Sequence, residues 1–234
     1  MTADTGQLIL DKAETLMRSR GYTAFSYADL AADLGITKAS VHYHFASKEA
    51  LVLAILARCL DRGRATLVQL TRDHADVRDK LRAYAATFLF SVESGMMPVC
   101  GTLSAERGVL PESTYPSIQQ FFQMQIDWLA DVVREGTAAG ILAPPLPPEQ
   151  AAVVIFSALE GGTMIAWGMD RKSVVLTAFE AILDCMMMQT QMTRQPTSAA
   201  VGKRQQKSQT GPRTRKRKGA PSRRSAAQAG GPLK

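Results

Sequence analysis

The sequence predicts an all-α protein. Apolar residues recur at helical spacing over most of the first 192 residues, and Ser, Thr and Gly stand where helix caps and tight turns need them. No segment alternates with the strand period for long enough to predict a sheet.

Helix one is expected over 7–20, where Leu8, Ile9, Ala13, Leu16 and Met17 form one apolar stripe that ends at Gly21. Ser26, with Asp29 three positions on, reads as an N-cap for a short helix over 27–34. Gly35 supplies a turn with positive φ, Ile36 plugs the core, and Thr37 caps a third helix over 38–45. Ser47 caps a fourth, in which Ala50, Leu51, Ala54, Ile55 and Arg58 continue to about residue 65 or beyond.

Two long amphipathic helices follow. One, over 77–94, carries Val77, Leu81, Tyr84, Ala85, Phe88 and Leu89 on a face; the other, over 118–137, carries Phe121, Phe122, Ile126, Leu129, Val132 and Val133. Between them 94–116, with three glycines and three prolines, reads as loop-rich with a short helix near 102–107. After a Pro-rich break at 140–148, helices over 149–168 and 172–191 are apolar on most sides. Such helices are buried or shared with a partner, and Ser157, Ala158, Gly161 and Gly162 would let a second backbone come close, which suggests a homodimer seam.

The formal charge of +7 conceals two unlike parts. Residues 1–192 hold 16 basic and 21 acidic side chains, a net of −5, whereas 193–234 hold 12 basic and no acidic ones. That last segment has no apolar periodicity to offset the entropy of ordering and is expected to be disordered. Cys59, Cys100 and Cys185 are too few and too far apart for a disulfide framework and suit a reducing, cytoplasmic setting. The N-terminus lacks a secretory pattern, and no uninterrupted apolar run reaches about 18 residues, so no membrane partner is expected.

Catalysis is not expected. Gly-rich phosphate loops, His-Glu-x-x-His and Gly-x-Ser-x-Gly elbows are absent from the sequence, and His74 and Glu160 stand isolated. His42 and His44 are two apart on a helix and point roughly 200° away from each other, so no metal site is expected; nor is any cofactor.

Two short helices around a Gly turn, over 26–45, have the spacing of a helix-turn-helix, whose second helix enters the major groove of DNA. An ordinary αα-corner has the same spacing. The residues themselves are more specific: Phe25-Ser26-Tyr27-Ala28-Asp29-Leu30-Ala31, then Gly35-Ile36-Thr37-Lys38-Ala39-Ser40-Val41-His42-Tyr43-His44-Phe45, then Ser47-Lys48-Glu49-Ala50-Leu51. This run closely resembles the N-terminal domain of TetR/AcrR-type transcriptional regulators. Cys100-Gly101-Thr102-Leu103-Ser104-Ala105-Glu106, the helix from Phe121-Phe122 to Trp128-Leu129, and Leu159-Glu160-Gly161 resemble one ligand-domain pattern of that family more loosely.

The resemblance implies a three-helix DNA-binding domain over 1–47 and a helical ligand-binding and dimerisation domain over 48–192, with 193–234 as a basic tail outside the usual pattern. It implies a homodimer on double-stranded DNA, most often a repressor, released from a pseudo-palindromic operator by a small apolar or aromatic effector. Thr37, Lys38, Ala39 and Ser40 would begin the recognition helix, with His42, Tyr43 and His44 further along it, and Ser26 and Tyr27 opening the preceding helix. Lys48 would meet a phosphate at the start of the connecting helix. Where family members usually carry tyrosine this chain has His42, and the tyrosine stands next door at Tyr43, so either can be the one that touches DNA.

Candidate effector-pocket residues are Phe88, Met96, Cys100, Phe122, Trp128, Met164 and Trp167. Phe179, Ile182 and Leu183 join the four small residues of the preceding helix at the expected dimer seam. Residues 1–58 hold six basic and six acidic side chains, so DNA affinity requires the cations to gather on one side. The alternative is a non-specific nucleic-acid-binding, architectural protein driven by the basic tail.

Overall fold

The computed structural model describes residues 4–194, and these form nine α-helices and two 3₁₀ turns with no strand. The helices are α1 (Thr5–Arg20), α2 (Tyr27–Leu34), α3 (Lys38–His44), α4 (Lys48–Asp73), α5 (Val77–Glu93), α6 (Val99–Ala105), α7 (Tyr115–Ala138), α8 (Pro148–Met169) and α9 (Val174–Arg194). The basic segment expected to be disordered lies, from residue 195 on, outside the described residues.

Local chemistry sets most of the boundaries. Asp4 caps α1, Thr37 caps α3, Ser47 caps α4 and Asp76 caps α5, each accepting from a free N–H of the first turn. Ser26 and Asp29 form a reciprocal capping box on α2. Gly35 ends α2 at φ 65°, in the left-handed region where a Cβ is penalised. Pro148 opens α8, a position at which its missing N–H costs nothing.

Two differences from the sequence expectation concern local signals. The short helix near 102–107 lies instead at Val99–Ala105, opened by Pro98. Leu8 faces solvent, while Ile9, Ala13, Leu16 and Met17 are buried, so the stripe of α1 is narrower than its apolar composition.

Two apolar cores result. One joins α5, α7, α8 and α9 through Leu81, Phe88, Leu129, Ile155, Leu159, Phe179 and Leu183. The other joins α1–α3 to the first turns of α4, and it is completed by Val99, Cys100 and Leu103 of α6, Leu110 and Ile118. Phe122 of α7 packs against both. The three N-terminal helices thus share a core with chain that lies well downstream of Leu56, between Val99 and Ile118.

The α8–α9 pair packs closely, since a Cβ on Gly162 would meet the Val175 carbonyl oxygen at 2.9 Å. Gly162 is therefore a contact within the chain, and Phe179 and Leu183 are fully buried in the chain's own core. These three corrections to the expected dimer seam share one cause: α8 and α9 bury their best-packing faces on each other. Ser157 is exposed, Ala158, Gly161 and Ile182 are half-buried, and nothing lies within 4 Å of a Cβ built on Gly161. By length and mean hydropathy α8 is also the one helix, among the described residues, that could cross a membrane, but Ala151, Ala152, Ile155, Phe156, Leu159, Thr163 and Ala166 are buried within the bundle.

Candidate nucleic-acid interface

The interface is built on α3, whose inner face is set by Val41, fully buried, and by Phe45 packed on the N-terminal core. Helical spacing then turns Lys38, Ala39, His42 and Tyr43 to the opposite side, and all four are exposed. Tyr43 projects furthest, 85% accessible. Thr37 is exposed at the N-cap; its Oγ1 accepts from the Ser40 N–H at 3.1 Å, which leaves its own hydroxyl proton free to donate. Ser40 is half-buried beside it.

His42 and Tyr43 stand in different surroundings. The His42 ring stands edge-on to Tyr27 at 4.8 Å, and its Nδ1 lies 3.4 Å from the Ala46 carbonyl oxygen. Tyr43 is held only by an edge contact to His44 at 5.2 Å, and its hydroxyl stays in solvent. His44 is half-buried, its Nδ1 close against Gly6 at the start of α1.

Three residues expected at DNA make hydrogen bonds within the chain. Tyr27 is buried and donates its hydroxyl to the Phe45 carbonyl at 3.0 Å, which ties α2 to the end of α3; burial pushes its pKa up to about 12. The Ser26 hydroxyl donates to Asp29 Oδ2 at 2.7 Å within the capping box. The Lys48 ammonium donates to the Tyr22 and Phe25 carbonyls and lies over both their rings, 4.4 and 4.2 Å from the centroids. Burial lowers the Lys48 pKa, opposed by the Glu106 and Asp29 carboxylates. Lys48 thus closes the α1–α2 connection, with two of its three ammonium donors committed to backbone carbonyls.

No local pattern of residues announces the contacts that join α1 and the α1–α2 connection to α6. Glu106, just past α6, accepts from the Tyr22 N–H at 2.6 Å, the Thr23 N–H at 3.1 Å and the Thr23 hydroxyl at 2.8 Å. These bonds hold its carboxyl below the usual range, although burial opposes them as the largest single influence. Arg18 Nε donates to the Met97 carbonyl at 2.7 Å while the Met97 N–H donates to the Arg18 carbonyl at 3.1 Å. Glu14, buried on α1, receives Arg58 and Arg62 of α4 and Arg18 of its own helix.

Beneath this joint lies a cavity of about 190 Å³, lined by Glu14 and Arg18 of α1, Cys59, Arg62, Gly63, Thr66 and Leu67 of α4, Tyr84, Thr87, Phe88 and Ser91 of α5, Pro98 and Val99, and Phe121 and Gln125 of α7. Of the residues expected to line an effector pocket, Phe88 lines this cavity. Phe122 sits between the two cores, Met96 is half-buried, and Cys100 is buried with its thiol hydrogen-bonded to Cys59. Trp128 donates to Thr71 on the outside of α4 at 2.9 Å, and Met164 and Trp167 are exposed on α8. Among the described residues no group of three or more His, Cys, Asp or Glu side chains could hold a metal ion.

Residues 9–55, the helices just described and their turns, match the family model for bacterial regulatory proteins of the tetR family. Over 88 residues the chain is 34% identical to the HTH-type transcriptional activator FasR of Mycolicibacterium smegmatis, covering 38% of this chain and 40% of that one. Over 116 residues it is 27% identical to the negative transcriptional regulator IcaR of the icaADBC biofilm operon in Staphylococcus aureus, covering 49% and 62%. The chain thus spans less than two thirds of either relative. The crystal structure of a TetR-family regulator from Agrobacterium tumefaciens superimposes with a TM-score of 0.75 at 28% identity, covering 78% of this chain and 97% of that one. The helix-turn-helix, the helix order of the described residues and these likenesses agree: residues 9–55 are a DNA-binding domain of the TetR family, and the described residues as a whole have the fold of TetR-family regulators.

Proposed function

We propose that the chain acts as a homodimeric repressor whose two α3 helices read successive major grooves of a pseudo-palindromic operator, and that a small apolar or aromatic effector releases it. The observation that carries this reading is the outward face of α3, where Lys38, Ala39 and Tyr43 are exposed and the capping Thr37 keeps its hydroxyl proton free to donate. Lys38 and the Tyr43 hydroxyl serve as phosphate or base-edge donors, Thr37 and Ser40 supply short hydroxyls, and Ala39 allows close approach. His42 backs Tyr27, and His44 holds α3 to α1, so both act by positioning.

Dimerisation is supported by α8, which leaves Val153, Val154, Met164, Ile165 and Met169 exposed along a helix whose other side is core. An apolar flank of that length is covered by a second copy in this reading. The division into a reading head over 1–47 and a body over 48–192 follows the start of α4 at Lys48, and the site of action is the cytoplasm, where the DNA is.

The test is selection of bound duplexes from a random pool by the full chain and by a version lacking 193–234, at low and physiological salt. One pseudo-palindrome enriched by both, with half-sites about 34–36 Å apart or somewhat more, is the expected result. Enrichment that requires the basic segment and prefers no sequence would favour the architectural reading instead.

A further inference from the structure

The cavity at the joint between head and body has a definite chemistry. Its volume of about 190 Å³ slightly exceeds the roughly 150 Å³ that accepts benzene in an engineered protein cavity. Leu67, Phe88, Val99 and Phe121 give it apolar walls, so its size and lining suit a single ring.

Charge at one end is unbalanced. Glu14 receives Arg62 and Arg58, each at 2.5 Å, and Arg18 at 3.6 Å, while Asp11 takes a second share of Arg58. Three guanidiniums therefore face two carboxylates. Arg62, with 54% of its side chain accessible, stands at the cavity mouth, and Arg18, with 16%, stands within. Desolvation is the largest influence on Arg18 and lowers its pKa, so an additional anion would relieve a cost already present.

A second observation comes from the wall contributed by α5. Tyr84 is 3% accessible, lines the cavity, and its hydroxyl has no hydrogen-bond partner. Burial raises its pKa well above the ordinary value, so it remains a protonated donor. A buried donor without an acceptor is costly, and native proteins keep few of them.

We infer that this cavity is the effector site and that it takes a small aromatic carboxylate, its ring between Phe88 and Phe121, its carboxylate on Arg62 and Arg18, and the oxygen of a ring hydroxyl accepting from the Tyr84 hydroxyl. The inference rests on the effector-responsive reading above and gives the ligand its class. It also gives release a route: Glu14 and Arg18 belong to α1, so a ligand that draws on Arg18 acts on the residue that ties α1 to Met97.

The test measures binding to the full chain by calorimetry, using benzoate, the three hydroxybenzoates, and the neutral and cationic analogues benzamide and benzylamine. Benzoate is expected to bind at least about tenfold tighter than benzamide, with no binding of benzylamine. Arg62→Met, which keeps an apolar stem at a largely solvent-exposed position, should abolish the preference for benzoate over benzamide. Tyr84→Phe should abolish the extra affinity of the best hydroxybenzoate over benzoate. Equal binding of benzamide or benzylamine, indifference to Arg62→Met, or no binding of any aromatic acid by folded protein would overturn the assignment. Operator release by a compound of another class would overturn it too, while leaving the repressor reading standing; failure to bind any operator would sink that reading separately.

Discussion

Glu160 on α8 offers a quantitative test of the body's electrostatics. Glu160 is half-buried, its carboxyl has no hydrogen-bonding partner among the described residues, and burial pushes its pKa up to about 7. The titratable neighbours that feel its charge, Tyr84 and Cys100, both have raised pKa values and stay neutral, so neither compensates it. Gly101 of α6 leaves room for it, since a Cβ there would come 2.8 Å from Glu160 Oε2. Because the folded pKa lies above the unfolded one, the native state keeps a proton that the unfolded chain releases. The penalty is absent at acid pH, grows as pH rises from about 4.5 to about 7, and is constant above. A difference of roughly 2.5 units corresponds to about 3 kcal/mol at pH 8. Glu160→Gln keeps the shape and removes the ionisation, so it should stabilise the protein at pH 8 by an amount approaching that figure and by under about 1 kcal/mol at pH 5. Urea denaturation of both proteins at several pH values gives the difference curve, in which the opposing acid-side losses from groups such as Asp76, held at about 2 by Arg78, cancel. A difference curve that is flat between pH 5 and 8 would refute the reasoning.

Lys38→Ala combined with Tyr43→Phe should weaken operator binding by one to two orders of magnitude without changing the thermal transition, as measured by fluorescence anisotropy and calorimetry, because neither side chain supports the fold. Lys48→Met should instead lower stability by about 1–3 kcal/mol in urea titrations, through two carbonyls left without their donor; a loss of DNA affinity with unchanged stability would return Lys48 to phosphate binding. Glu106→Ala should free the α1–α2 connection from α6 and speed hydrogen exchange at Tyr22 and Thr23, and it should reduce the effector's power to release DNA more than it reduces DNA affinity itself. Phe179→Ala, at a fully buried site, should cost about 3–5 kcal/mol.

What could be read from the sequence follows the range of the interactions. Caps at Ser26, Thr37 and Ser47 and the turn at Gly35 are decided within four residues, so α2, α3 and the start of α4 stand where the sequence places them. Whether a polar side chain then points outward or inward depends on groups far along the chain. Lys48 meets carbonyls 23 and 26 residues away, and Tyr27 meets one 18 residues away, partners that neither the local sequence nor the family resemblance reveals. The α8 and α9 faces were ambiguous for a related reason. Helices apolar on most sides carry a weak periodic signal, and only their mutual packing shows that Phe179 and Leu183 turn inward while Met164 and Trp167 turn out. The Glu106 and Arg18 links join segments more than 70 residues apart and left no local signature.

The shared N-terminal core also bears on the order of events during synthesis. Residues through Leu56 contain the whole reading head, yet its apolar interior stays open until Leu103, Leu110 and Ile118 arrive. At roughly 5–20 residues per second, that interval lasts on the order of 3–12 s on the ribosome. A nascent head would spend it with the seats of those side chains exposed, and the DNA-reading surface would reach its final rigidity only after α7 has begun to emerge.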